Sequence, residues 1–266
     1  MTYFLIGMVF LVPFCVCVLR PIVQRKIKDD PQVGRLEILI GPVLTLAIFL
    51  CSFMGFQTTT AYQTARANTS AEGEAITHFY ETAGIAKSNV GRSIQAATLC
   101  YARSVASFDW QATVRGDATP ETDEWALRID DHLTDAASLP SPIVTRLLSS
   151  DTNVSNTRYQ RLATVRTVTP VLMEFLVGLA IIIGIVLASI FLLPGLRRSL
   201  ALTLVGAMAF LLCGSLFVIH TLDDPYVGIV SIGPSLIERV DRNLTGQFEL
   251  HNPGVALPCD TQGNPV

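Results

Sequence analysis

The chain has 266 residues, half of them hydrophobic and only 15% charged, with a formal net charge of −3 and a mean hydropathy of +0.46. Soluble domains carry about 25% charged residues, so this shortage of solvating side chains points to a membrane. Intrinsic disorder and a disulfide-dense secreted scaffold are excluded. A charge this small, with no basic stripe, also excludes nucleic acid as a partner.

Four apolar runs account for the shortage. Residues 1–19 predict a first transmembrane helix, uncharged from Tyr3 to Leu19 and closed by Arg20. It is not a cleaved signal peptide, because no Lys or Arg precedes the apolar stretch and no small-residue cleavage box follows it. Residues 20–35 form a short basic loop holding Arg20, Arg25, Lys26, Lys28 and Arg35. Residues 36–56 predict the second span, with Glu37 alone at its start. On its surface Phe49, Phe53, Phe56 and Thr60 recur at helical steps and share one face. Two readings stand: a hydrophobic constriction ringing a pore in an oligomer, or a helix-packing contact. No proline stops the helix before Gly73, so it continues through Thr58 to Ala71.

Residues 57–167 predict a helical extramembrane domain, with 10 basic and 12 acidic residues, charged like a soluble protein. Ile94, Ala97, Tyr101, Val105, Phe108 and Ala112 recur at three- and four-residue steps, a core-facing stripe. Thr119 then Pro120 reads as a helix cap followed by proline at the first position, with Glu121, Asp123 and Glu124 in the first turn. Trp125, Ile129, Leu133 and Ala136 continue a stripe until Pro140 and Pro142 break it. A third helical stretch is expected around Arg158 to Val165. No segment of strand length alternates with period two, so the domain reads as all-α.

Residues 168–196 and 199–222 predict the third and fourth spans, joined by little more than Arg197 and Arg198. Each exceeds the roughly 20 apolar residues needed to cross a hydrocarbon core of about 30 Å. Glu174 lies in the first turn of the third span, after Pro170. Either it is an intramembrane functional acid or it sits at headgroup depth. Of the 19 basic residues, 7 fall in the two short loops, which places those loops in the cytoplasm. The N-terminus, the middle domain and a tail of residues 223–266 then face outward. Within that tail Ser235 to Asn243 suits a short helix, and from His251 onward no regular structure is expected. Cys15, Cys17, Cys51 and Cys213 lie in spans; Cys100 and Cys259 alone lie outside, both on the oxidising face. They either pair, tying the tail to the middle domain, or are two unrelated thiols.

Chemistry is not evident. There is no phosphate-binding glycine loop, HExxH, CxxC or GxSxG, so no catalytic residue, cofactor or metal is expected. Glu74 and His78 sit four apart with Glu81 nearby, but this fits a solvated helix face better than a metal site needing three ligands.

The tail opens Leu222-Asp223-Asp224-Pro225-Tyr226-Val227-Gly228-Ile229-Val230-Ser231. With two spans before the helical middle and two after it, this layout resembles the bestrophin-like domain-of-unknown-function family of bacterial integral membrane proteins. Glu74 with Ala75, Tyr101, Asp109 with Trp110, Arg158, Arg161 and Pro170 are similar to that family's other landmarks, beside Asp224, Pro225 and Gly228. The resemblance covers nearly the whole chain and implies kinship to chloride-conducting pentamers whose second span lines the pore. Those channels keep the middle domain in the cytosol, whereas the basic loops here place it outside. The sequence thus predicts an all-α plasma-membrane protein of four transmembrane helices, with an all-helical domain inserted between spans 2 and 3. It is expected to be a non-enzyme whose partners are the lipid bilayer and a second copy or another membrane protein. An oligomeric ion channel or pore is the first functional expectation; a non-enzymatic accessory or sensory subunit of a larger envelope complex is the alternative.

Overall fold

The computed structural model describes residues 40–113, 119–165, 171–191 and 198–266, together with Gly7 and Ile38. The first span apart from Gly7, the basic loop, Pro170 and Arg197 lie outside the described residues. Among the described residues every extended element is helical; an isolated bridge between Cys259 and Pro265 is the one strand-like pairing. The chain divides into two compact units, residues 1–61 with 167–223 and residues 62–166 with 224–266. The helix α1, Ile40–Ile85, contributes to both. Gly73 does not stop it. That glycine is buried where an added Cβ would lie 3.2 Å from Val240, so it serves helix packing and not termination.

The first unit holds the start of α1 with α6 (Val171–Phe191) and α7 (Arg198–Asp223). Ala47, Cys51 and Met54 of α1 meet Val177, Ile181 and Ile185 of α6 and the Val205–Ala209–Cys213 row of α7. The three- and four-residue spacing gives each helix one buried stripe. Gly184 allows the close approach of α6 to α1, since a Cβ there would fall 2.8 Å from Leu44. By length and composition α1 from Gly41 and α7 from Thr203 suffice to cross a membrane, and Leu172–Ala188 is a shorter apolar stretch. Leu172, Phe175, Leu176 and Leu179 remain exposed on α6, as expected where lipid replaces water.

The second unit is built from the rest of α1, α2 (Asn89–Ser104), a π-helical turn (Val105–Asp109), α3 (Trp110–Thr113), α4 (Pro120–Asp135), α5 (Ser141–Ala163) and α8 (Ser235–His251). Ser88 caps α2 by accepting from the Gly91 amide at 3.1 Å. Ile94, Ala97, Tyr101 and Val105 are buried on α2 and its continuation, but Phe108 is only half-buried. The π turn inserts a residue into the helical register, turning Asp109 and Trp110 inward in its place. On α4 Trp125, Ile129 and Leu133 are buried, followed by Ala136. Thr119 holds the cap position, yet its hydroxyl lies against Asp109 and Thr122 and does not cap the helix.

Two helices are longer than the sequence suggests. Helix α5 begins at Ser141, not near Arg158, and α8 continues past Asn243 to His251. The residues beyond His251 have no regular structure but are closely fixed. Cys100 and Cys259 are joined, with Cα atoms 5.8 Å apart. Trp125 Nε1 donates to the Gly263 carbonyl at 2.6 Å, and Asp260 accepts from the Gln262 and Asn264 amides, each at 2.8 Å. Gly263 has φ +94°, and a Cβ there would meet the Ser104 backbone nitrogen at 2.6 Å. Gly263→Ala therefore combines left-handed strain with a backbone clash and is expected to cost about 2–3 kcal/mol. Thermal unfolding of the purified variant measures it, with Gly254→Ala, left-handed but in open space, as the smaller comparison.

Candidate functional site

The second unit buries charge. Glu72, Asp109 and Arg161 are each 0% exposed, supplied by α1, the π turn and α5 respectively. Three- and four-residue steps from Ala65 through Thr69, Glu72, Ala75, Ile76, Phe79 and Ala83 carry Glu72 on the buried face of α1. On α5 Leu147, Ser150, Val154, Thr157 and Arg161 do the same. Arg161 engages Glu72 with two nitrogens, one through Nε and one from Nη2 at 3.3 Å, and Nη2 also donates to Asp109 at 2.5 Å. Arg158, one turn earlier, donates from Nη2 to Asp109 Oδ1 at 3.0 Å and from Nη1 to Asp123 at 2.7 Å. Asp109 further accepts from the Thr119 amide at 3.2 Å. Two guanidiniums thus face two buried carboxylates, with Asp123 at the more exposed rim.

Aromatic side chains surround this network. The Arg161 guanidinium stands 5.4 Å from the Trp110 ring centroid, a cation–π geometry. Trp110 meets Tyr226 edge-on, centroids 5.7 Å apart. The Tyr226 hydroxyl donates to the Ala65 carbonyl at 3.4 Å and lies 3.3 Å from Thr164 Oγ1. So the Asp-Pro-Tyr-x-Gly segment enters the site through its tyrosine. Pro225 is buried and its carbonyl accepts from the Ile232 amide at 2.8 Å. Gly228 takes φ +103°, which favours glycine there.

Burial pushes the Glu72 carboxyl up, with the Arg161 charge opposing it. Burial also acts against Asp109, but the Arg158 hydrogen bonds and the Arg161 charge outweigh it and hold Asp109 below its ordinary range. Burial, then the Glu72 charge, raises the Tyr101 phenol. A depressed carboxyl contributes stability that is present above its unfolded pKa and lost as pH falls through its folded one. Asp109 is therefore expected to impose an acid-side loss of thermal stability below about pH 4. The raised Glu72 acts in the opposite sense. Unfolding midpoints from pH 7 to pH 3 check this, and an Asp109→Asn variant should show a flatter acid limb than the parent.

The family landmarks separate in space. Tyr101, Trp110, Arg161 and the loop carrying Asp224 and Pro225 belong to this network or border it. Glu74 is exposed, as are His78 and Glu81. Among the described residues no group of three or more His, Cys, Asp or Glu is placed to hold a metal. Sequence reasoning missed Glu72 and did not connect Asp109 to Arg158; the unbroken buried spacing of α1 was the available signal for Glu72. In the first unit Phe49, Phe53 and Phe56 are 64%, 43% and 72% exposed. Thr60 is exposed too, and its hydroxyl donates to the Phe56 carbonyl at 2.9 Å. Packing within the unit uses the Ala47–Cys51–Met54 face instead. Glu174 Oε1 lies 3.9 Å from His220 Nδ1, joining the first turn of α6 to the last turns of α7.

The Bestrophin-like domain matches residues 6–237. A variant of a bacterial Bestrophin homolog from Klebsiella pneumoniae superposes with a TM-score of 0.71 at 11% identity, covering 91% of this chain and 98% of that one. A second variant of a Klebsiella pneumoniae Bestrophin homolog gives 0.65 at 13% identity, covering 92% and 99%. A solved structure described as a membrane protein gives 0.69 at 10%, covering 90% and 98%. No curated protein matches the chain. At such identities the likeness speaks for the fold alone, and the domain match over most of the length speaks for descent: the chain belongs to the Bestrophin-like family.

Proposed function

We propose that the protein forms a homo-oligomeric ion channel or pore in the plasma membrane. Its four spans are residues 1–19, 36–56, 168–196 and 199–222, and a helical domain of residues 57–167 is inserted between the second and third. The observation that carries this reading is the exposed face of Phe49, Phe53, Phe56 and Thr60. It lies on the helix whose other face already packs within the unit, so it is available to a ring of copies as a hydrophobic constriction. Glu174 and His220 would then place an ionisable pair at one end of the spans. Purified protein in liposomes is expected to give ion flux above empty vesicles, with Phe53→Ala altering it. Absence of flux across several salts and pH values would sink the channel reading.

The orientation that suits this reading puts the loops of residues 20–35 and 197–198 in the cytoplasm and the second unit outside. Two arguments support it: the basic residues of those loops and the Cys100–Cys259 bond, which persists where thiols are not kept reduced. Labelling of single surface cysteines in intact cells decides it. A non-enzymatic accessory or sensory subunit is the second reading, favoured by the apolar Val227, Ile229 and Val230, exposed on the second unit. Gentle extraction that returns a homo-oligomer and nothing else would count against it.

A further inference from the structure

Just beyond α7 the chain loses its charge. Between Asp224 and Glu238 stand thirteen residues, Pro225 to Ile237, without one Asp, Glu, Lys or Arg. The first part of this stretch is a loop held at its base. Tyr226 and Ile232 are buried in the core of the second unit. The Ile232 amide donates to the Pro225 carbonyl at 2.8 Å, and the Val227 amide donates to the Asp224 carbonyl at 3.1 Å. Gly228, at φ +103°, turns the chain at a point where an added Cβ would meet nothing within 4 Å. Between the two buried anchors the apolar side chains stand clear of the protein: Val227 and Val230 are each 46% exposed and Ile229 is 83% exposed. Among the described large apolar residues only the terminal Val266 is more exposed than Ile229.

A turn in water is built from Gly, Pro, Asn, Asp and Ser, whereas this tip is Val, Ile and Val around one glycine. Its β-branched side chains are stiff and lose little freedom on entering an apolar phase. The position of the loop in the chain says which phase that is. The apolar segment of α7, Thr203–Asp223, has 21 residues, which at the helical rise is about 31 Å, the thickness of a hydrocarbon core. Its last residue is Asp223, so that end of α7 meets the headgroups. Ile229 follows six residues later, and even a fully extended chain of that length reaches only about 20 Å. The tip therefore stays within reach of the boundary that α7 has just left. A second copy is the weaker occupant, because three side chains supply far less than the about 800 Å² per partner that a stable protein interface buries.

We propose that the tip from Val227 to Val230 is a membrane-interface loop. It sets its apolar side chains into the boundary between headgroups and acyl chains and so ties the second unit to the lipid surface that α7 leaves. This rests on α7 crossing the bilayer, as in the reading above, and not on ion conduction.

The test is quenching of an added tryptophan by brominated phospholipids, with the full chain in nanodiscs of phosphatidylcholine and phosphatidylglycerol. The native Trp110 and Trp125 are buried, so the parent chain supplies a constant background to subtract. Ile229→Trp is expected to add blue-shifted emission and to lose most of it when the bromine lies near the headgroup, and little when it lies near the acyl-chain end. Phe210→Trp, exposed on α7, should be quenched more by the deeper bromine and checks the span itself. On the unsubstituted chain, a phospholipid carrying a photoreactive group beside its headgroup should leave adducts on residues 227–230. Water-like emission from Ile229→Trp overturns the proposal, as does the absence of those adducts. Emission that is blue-shifted yet unquenched also overturns it, since protein would then cover the tip, as the accessory-subunit reading requires. Quenching of Phe210→Trp without quenching of Ile229→Trp removes the loop and leaves the span standing; quenching of neither removes both.

Discussion

Replacing Arg161 with methionine is expected to cost about 3–5 kcal/mol, the scale for removing one partner of a buried ion pair. The reason is what stays behind. Glu72 and Asp109 are each fully buried, and Arg161 is the only cation donating to Glu72 among the described residues. Without it one carboxylate must take up a proton or draw in water, and Asp109 loses one of its two guanidinium partners. The cation–π contact with Trp110 goes too. Thermal unfolding in detergent reads the loss, and Glu74→Gln, on the exposed face of the same helix, should stay within about 0.5 kcal/mol. The double variant Glu72→Gln with Arg161→Met should lose less than the sum of the two singles, because removing both charges removes the unpaired one. Additivity within about 0.5 kcal/mol would mean the pair is not coupled.

The second large effect belongs to the covalent link. Cys100 and Cys259 are 159 residues apart in sequence, so their bond closes a long loop, and such closures restrict the unfolded chain by about 2–5 kcal/mol. Reduction, or Cys259→Ser, is expected to lower the unfolding midpoint of the second unit by that scale. The segment around Gly263 should loosen with it, since the bond and the Trp125 hydrogen bond hold the same stretch. Non-reducing peptide mass spectrometry on protein from native membranes supplies the complementary measurement. Two unmodified thiols there would contradict the link and weaken the outward orientation with it. Adding reductant to Cys259→Ser should change nothing further.

Helices, apolar runs and family landmarks were legible in the sequence because they repeat. The buried charge network was not, and three local causes explain it. A π turn is a one-residue register change that no periodicity announces; extrapolating α2 through it makes Phe108 the core residue, where the structure buries Asp109. Helix α5 runs through Ser149-Ser150-Asp151-Thr152-Asn153, residues whose side chains compete for the backbone, so its first half does not look helical. What holds it is the buried row at Leu147, Val154 and Arg161, one position every seven residues. Glu72 and Glu74 differ only in phase, and an acid on an apolar stripe reads as an interruption until its arginine is found 89 residues away. Composition gave the residues after His251 correctly as irregular. Irregular proved different from loose, because Asp260, Gly263 and Cys259 each make specific contacts.

The division of the second unit into residues 62–166 and 224–266 has a consequence for the order of synthesis. When the ribosome has completed α5, the core around Phe79, Ile94 and Leu99 still lacks Ile237, Leu244 and Phe248, which arrive on α8 only after α6 and α7 have been made. Until then the nascent chain holds an apolar surface with no cover and a Cys100 thiol whose partner does not yet exist. A chain cut after α7 would therefore be no smaller version of this protein. It would be one arrested before its second unit could close, a natural substrate for chaperones and proteases.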